Sequence, residues 1–358
     1  MRAVVLVGGS GTRLRPLTFA LPKQMLPVAE VPMIQRVLAH LADNGVTEAV
    51  LSLGYRHEAF LDALPGARAL GLHVTSVVET EPLGTGGAIG FAARTAGIDE
   101  RFVALNGDVL TDLGLAALVG FHVEKGAEAT IALTRVDDAS PFGLVATEDD
   151  GRVAAFVEKP ANAAPGLVNA GTYVLEPSVL ERIPADRPVS IERETFPAIC
   201  ADRALYAMVS SSYWTDTGTP ERFLRCQLDL ITGRRPGPPA PGAHDRGDGV
   251  WTIGGAVVDG EVQAPALIGT AAYVHAGAFV ESSVIGAGAR VLEGARVRDS
   301  VLLPGAVVRA DATVELSLVG EQAVVGEKAS LSGLTVVGPN VGVEPGAHLH
   351  GVRLPADD

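Results

Sequence analysis

The sequence predicts an α/β domain with a Rossmann-like, mostly parallel sheet and helices on both faces, followed by a C-terminal parallel β-helix of hexapeptide repeats. Three observations carry this. Residues 1–232 alternate short β-branched runs with helical spacing. Residues 233–250 are rich in proline and glycine. Residues 251–358 repeat an aliphatic residue every six positions.

The first strand is read in Ala3-Val4-Val5-Leu6-Val7, which runs straight into Gly8-Gly9. Met33, Val37, Leu38 and Leu41 then keep helical spacing up to Asn44-Gly45, a helix stop. Ala49–Leu53 and Phe102–Leu105 are further strands. Strand, helix, strand in this order argues for parallel pairing, with ligands at the carboxyl ends of the strands. Gly233–Gly242 holds four prolines and three glycines, which neither a helix nor a sheet interior accommodates, so 233–250 is a linker. Beyond it the aliphatic series runs Ile268, Val274, Val280; Ile285, Val291, Val297; Leu302, Val308, Val314; Val319, Val325, Leu331; Val337, Val343, Leu349. Glycine often follows, as in Ile268-Gly269 and Val337-Gly338. One inward aliphatic residue per face of a three-sided coil explains the period. At about 18 residues per coil, 251–351 holds roughly five coils. The pattern resembles the left-handed β-helix of hexapeptide-repeat proteins.

Composition bounds the function. The formal net charge of −14 disfavours nucleic acid and anionic lipid as partners. It would also repel a phosphorylated substrate, so phosphate chemistry must rest on local cations, backbone N–H groups and a metal. No apolar run approaches the roughly 20 residues of a membrane helix, and the N-terminus is too short for a signal peptide. The two cysteines, Cys200 and Cys226, form no CxxC pair. A cytoplasmic protein without disulfide framework or zinc site is expected.

The chemistry-bearing residues begin at the first turn. Gly8-Gly9-Ser10-Gly11-Thr12-Arg13 follows a strand, and such a loop offers successive N–H groups to phosphate oxygens. It matches neither GxGxxG nor the P-loop pattern, and on its own it is also an ordinary tight turn. Arg13, Arg15 and Lys23 follow it. Arg13 can fork two phosphate oxygens, and Lys23 supplies a point charge. Asp108, after Asn106-Gly107, is either a turn residue or a metal ligand. Glu158 is a strand charge or an acceptor for hydroxyls. Trp214 is read as packing. His275, His348 and His350 are read as surface or interface residues.

Seven ordered motifs resemble those of the sugar-1-phosphate nucleotidyltransferase family. They are Gly8–Thr18 with Pro22-Lys23, Glu81–Ala88, Leu105–Asp108, Phe142-Gly143, Phe156–Pro160, Asn169–Tyr173 and Trp214–Pro220. Within the family the resemblance is nearest to members that pair GTP with mannose 1-phosphate. The Leu-Gly-Thr-Gly-Gly segment, Asn-Gly-Asp-Val-Leu, Trp-x-Asp-x-Gly-Thr-Pro and the appended β-helix point there. Gln24 after Lys23 departs from that branch and is closer to thymidylyltransferases.

The resemblance implies roles. Leu6, Gly8, Gly9, Gly11, Thr12, Arg13, Leu83, Gly84, Thr85 and Asn106 would bind the nucleotide. Gly143, Glu158, Lys159, Asn169 and Gly171 would bind the sugar phosphate. Asp108 and Asp216 would hold Mg²⁺, and Arg13, Lys23, Asp108 and Asp216 would be catalytic. The implied domains are a catalytic domain at 1–232, the linker at 233–250 and the β-helix at 251–358, the last acting as a homo-oligomerisation module. Three alternatives stand beside this: the same chemistry on glucose 1-phosphate or a cyclitol 1-phosphate with another nucleotide, a non-catalytic regulatory homologue that binds nucleotide sugar, and acyltransferase activity in the β-helix.

Overall fold

The computed structural model describes residues 1–54, 56–63, 66, 69–159, 161 and 164–356. Packing divides the chain into two units, one of 1–9 with 34–214, the other of 10–33 with 215–358. This differs from a division by composition at 232: the segment 10–33 and the helix at 220–231 pack with the β-helix.

The first unit holds one mixed sheet. Its parallel block consists of β1 (Arg2–Val7), β2 (Glu48–Leu53), β3 (His73–Val78) and β4 (Phe102–Asn106), in the order β4-β1-β2-β3. The remaining strands are β5 (Ala129–Val136), β6 (Gly143–Thr147), β7 (Val153–Glu158), β8 (Gly166–Leu175) and β9 (Leu205–Val209). β8 runs antiparallel to β4, β5 and β6, and β7 pairs antiparallel with β6. β9 lies parallel to β5. The predicted strands at 3–7, 49–53 and 102–105 are present, as is the helix Met33–Asp43. Its apolar positions are buried, as amphipathic spacing requires. The central strands are buried almost throughout, as expected of parallel strands.

In the second unit the helix Pro220–Ile231 is capped by Thr219, whose hydroxyl accepts from Arg222 N–H, with Pro220 at the first turn. Within 250–354 the strands pair with one another in parallel, while Trp251-Thr252 also pair antiparallel with His244-Asp245. Fourteen of the fifteen predicted inward aliphatics are buried, and Leu349, in the last coil, is half-buried. Alanines complete the interior two positions earlier, as at Ala272, Ala289, Ala306 and Ala323.

The expected coil of about 18 residues is corrected. Val274 pairs with Val291, Val291 with Val308 and Val308 with Val325, steps of 17 residues; only later does Val325 pair with Val343. One corner is a residue shorter. There Ser282, Asp299 and Leu316 take left-handed φ and the buried Ser283, Ser300 and Ser317 follow them; Leu334 and Thr335 hold the same places in the next coil, where the step from Leu331 to Val337 is a full six residues. Ser300 N–H donates to Ser283 Oγ at 3.1 Å and Ser317 N–H to Ser300 Oγ at 3.0 Å. Each hydroxyl donates in turn to a carbonyl of its own corner, as Ser300 does to Arg298 at 2.6 Å. The hydroxyl ladder thus satisfies backbone groups that the shortened turn buries.

Among the described residues, no helix is long and apolar enough to cross a membrane.

Candidate active site

The parallel register aligns the ends of the strands. Leu6 lies opposite Asn106, Val7 opposite Leu53 and Leu53 opposite Val78. The turn Gly8-Gly9, the Asn106-Gly107-Asp108 turn and Glu79 therefore leave the sheet at one edge. The antiparallel strands continue it. Thr172 pairs with Leu105, which puts Gly171 beside Asn106, while Val168 pairs with Leu144, which puts Asn169 beside Gly143. Glu158 pairs with Gly143. Eight predicted residues thus share a single sheet edge: Leu6, Gly8, Gly9, Asn106, Gly143, Glu158, Asn169 and Gly171. Asp108 follows directly on this edge.

Local bonds shape that edge. Gly107 N–H donates to Leu6 O at 2.9 Å, tying the two turns together. Gly171 has φ +73°, and a Cβ there would come within 2.5 Å of Asn106 Nδ2. Asn169 Oδ1 accepts from Gly171 N–H at 2.8 Å, and its Nδ2 donates to Tyr173 Oη at 2.9 Å. Asn169 therefore builds the irregularity between Asn169 and Tyr173 in β8 rather than presenting a free carboxamide. Trp214 packs edge-on against Phe142 at 5.3 Å and donates its indole N–H to Ala170 O at 2.9 Å, which bears out a packing role.

Glu158, Lys159 and Gly143 form one corner. Lys159 Nζ lies 3.5 Å from Glu158 Oε1, and its N–H donates to Phe142 O at 3.0 Å. Lys159 holds φ +52°, an outlier for a long side chain of the kind found at functional sites. Pro160 of the same motif lies outside the described residues. Burial pushes the Tyr173 phenol well above its ordinary range, and Glu192, Glu158 and Asp108 add to the shift. Three carboxylates thus lie within electrostatic reach of one buried ring.

The segment expected to read the base is held from two sides. Glu79 was not predicted; it is a lone charge after a strand in sequence. Its Oε1 accepts from Ser52 Oγ at 2.9 Å and its Oε2 from Leu83 N–H at 3.1 Å. Leu83 O accepts from Val189 N–H at 2.8 Å. Leu83 thus spends both backbone groups on internal bonds. Gly84 begins the helix Gly84–Thr95 with φ +71°, and a Cβ would reach within 2.6 Å of Val189 O. Thr85 Oγ1 donates to Glu192 Oε2 at 2.6 Å and accepts from Ile191 N–H at 3.0 Å.

Gly11, Thr12, Arg13, Lys23 and Asp216 belong to the second unit. Gly11 O accepts from Thr18 Oγ1 at 2.8 Å, and a Cβ on Gly11 would lie 3.3 Å from Lys23 Cβ. Thr12 and Arg13 are exposed. Arg13 and Asp216 flank Gly218: a Cβ there would meet Asp216 Oδ1 at 2.7 Å and Arg13 Nη2 at 2.9 Å. Asp216 Oδ1 accepts from Gly218 N–H at 2.5 Å, and Oδ2 pairs with Arg222 Nη1 at 2.7 Å. Arg222 reads in sequence as an ordinary helix charge and was not predicted. Gln24 is buried, and its Oε1 has no hydrogen-bond partner among the described residues.

Asp108 and Asp216 supply hard oxygen donors, and each Asp216 oxygen keeps a second lone pair. Among the described residues no cluster of three or more His, Cys, Asp or Glu could hold a metal. One or two carboxylates completed by phosphates is the habit of Mg²⁺, so the donor chemistry of either carboxylate fits it. Cys200 donates to Val153 O at 3.2 Å with its thiol pushed up by burial, and Cys226 is buried; neither is set up as a nucleophile.

A family model described as Nucleotidyl transferase matches residues 2–233, and one described as GMPPB C-terminal domain matches 262–356. Mannose-1-phosphate guanylyltransferase of Mycobacterium tuberculosis is 44% identical over 267 residues, covering 72% of this chain and 74% of that protein. Mannose-1-phosphate guanylyltransferase 1 of Arabidopsis thaliana is 40% identical over 293 residues, 79% of each chain. Among solved structures, HddC from Yersinia pseudotuberculosis complexed with GMP-PN is similar at a TM-score of 0.55 and 30% identity, over 63% of this chain and 97% of that one.

Proposed function

The chain belongs to the nucleotidyl transferase family, and from that premise we propose that it joins GTP to mannose 1-phosphate, giving GDP-mannose and pyrophosphate. The observation that carries the chemistry is the single sheet edge joining the glycine turn, Asn106, Gly171, Gly143 and Glu158. The choice of GTP and mannose 1-phosphate rests on the names of the relatives.

A phosphate monoester has its second pKa near ~6, so the sugar phosphate is already a nucleophile near neutral pH and needs no general base. Its oxygen attacks the α-phosphorus, and the bond to the β,γ-pyrophosphate breaks. The work of the protein is to position two anions and stabilise the leaving group. Arg13 and the N–H groups of the Gly8–Gly11 turn grip the leaving pyrophosphate. Lys23 neutralises the triphosphate. Lys159 steers the incoming phosphate. Glu158 accepts from sugar hydroxyls at the Gly143 corner, while Asn169 and Gly171 shape the adjoining backbone. Leu83–Thr85 frames the base. Asp108 and Asp216 are the carboxylates that would hold Mg²⁺, which supplies charge neutralisation at the phosphates.

In this reading residues 1–232 carry the catalysis, although 10–33 and 220–231 pack with the β-helix, 233–250 link, and the β-helix at 251–358 serves oligomerisation, in a cytoplasmic enzyme. A pyrophosphate-release screen tests the reading, pairing four nucleoside triphosphates with mannose, glucose and cyclitol 1-phosphates. GTP with mannose 1-phosphate should give the highest kcat/KM. Preference for another pair would overturn the substrate assignment, and no release with any pair would favour a regulatory, nucleotide-sugar-binding protein.

A further inference from the structure

Residues 10–33 carry Gly11, Arg13 and Lys23 but hold little secondary structure of their own. They form three single turns and one short strand pair, Pro27-Val28 with Val31-Pro32. Their shape must therefore come from what they pack on.

The hairpin at Ala29-Glu30 is the anchor. Both central residues are left-handed, with φ 43° and 69°. Two-residue turns of this kind strongly prefer Asn-Gly, and Ala-Glu is a poor sequence for one. Long-range contacts explain the choice. Ala29 N–H donates to Oε1 of the buried Gln227 at 2.7 Å, and Gln227 Nε2 donates to Pro27 O at 2.8 Å. Glu30 takes both donors of Thr270 in the β-helix: N–H to Oε1 at 2.8 Å and Oγ1 to Oε2 at 2.9 Å. A Cβ on the neighbouring Gly269 would overlap Glu30 Oε1.

Gly269 is the first of a column. Ile268, Ile285, Leu302, Val319 and Val337 are stacked partners, and the next residue in each coil turns the same corner. Pro16 lies against Gly338 in that column, where a Cβ would come within 3.0 Å of it. Leu17, Leu26 and Pro27 line one small pocket with Leu303, Pro304 and Pro339. The segment thus runs along one corner of the β-helix across several coils, from Glu30 to Pro16.

We propose that Glu30 is a positioning residue for the nucleotide. By clamping Thr270 it fixes the strained hairpin, and so lays the segment bearing Gly11, Arg13 and Lys23 on the β-helix corner. The proposal rests on the triphosphate-gripping role given to those residues above. It makes the β-helix part of the phosphate grip as well as an assembly module.

Glu30→Gly separates positioning from folding, because glycine suits the left-handed turn while removing the clamp. In the full-length protein it should raise KM for GTP about tenfold, with KM for mannose 1-phosphate and Tm unchanged. Amide exchange across 10–33 should quicken. Thr270→Val should act in the same direction, and Glu30→Gln, which keeps an acceptor, should recover most of the affinity. Unchanged KM for GTP together with unchanged exchange in Glu30→Gly would overturn the proposal. So would a loss of kcat that merely tracks a fall in Tm. If the wild-type chain releases no pyrophosphate, the functional reading falls instead, and the exchange measurement still decides the clamp.

Discussion

Asp216 Oδ2 and the Arg222 guanidinium are paired at 2.7 Å, the aspartate ending a short strand and the arginine standing in the first turn of the helix Pro220–Ile231. A guanidinium and a divalent cation compete for the same carboxylate. Arg222→Gln should therefore lower the Mg²⁺ concentration needed for half-maximal activity, and tighten Mn²⁺ binding to the protein alone as read by electron paramagnetic resonance. An unchanged metal dependence in both would remove Asp216 from the metal site.

Lys159 stands beside Glu158 with its backbone pinned to Phe142 O. Lys159→Ala would remove the charge-assisted contact proposed for the incoming phosphate, so KM for mannose 1-phosphate should rise about tenfold while KM for GTP stays put. Steady-state kinetics with each substrate varied in turn checks this; equal loss of both counts against the role.

Gly171 has no room for a side chain. Gly171→Ala places an L residue in the left-handed region and drives a methyl into Asn106, costing about 2 kcal/mol. Both Tm and kcat/KM should fall, because the displaced Asn106 adjoins Asp108. Retained activity with a lowered Tm would separate the two.

Acid sensitivity should come from His122. It is fully buried between Thr130 Oγ1 at 2.8 Å and Glu176 Oε1 at 3.0 Å. Burial lowers its pKa below the usual 6.5, although Glu176 pulls the other way. The folded state thus favours the neutral ring, and its stabilisation is present above 6.5 and lost as pH falls through the folded value. Desolvation raises the Glu176 pKa, but hydrogen bonds from His122 and Arg101 outweigh it and leave it below 4.5, so a second loss follows at lower pH. Denaturant midpoints from about pH 7 to about pH 4 should decline, and His122→Gln should flatten the upper part of that decline. An identical slope in the variant would acquit His122.

Much of this was legible in sequence because it is periodic or local. The strand-then-glycine pattern at Val7-Gly8 located the first turn, and the aliphatic series located the β-helix interior. Even the 17-residue coil was written in the five-residue step from Val280 to Ile285, and the serines at 283, 300 and 317 repeat at that spacing. Contacts between distant positions were not legible. Glu79 holding Leu83, Arg222 holding Asp216 and Glu30 holding Thr270 are charges that look solvated until the fold supplies their partners. Nor does a motif reveal that Asn169 turns its carboxamide inward, to Gly171 and Tyr173.

Transfer of the guanylyl group to mannose 1-phosphate can be followed by isotope tracing. With GTP labelled at the α-phosphorus, mannose 1-phosphate and Mg²⁺, the label should appear in GDP-mannose; with GTP labelled at the γ-phosphorus, it should leave as pyrophosphate. Label that stays in GTP, or that is released as inorganic phosphate without a nucleotide sugar forming, would rule out guanylyl transfer.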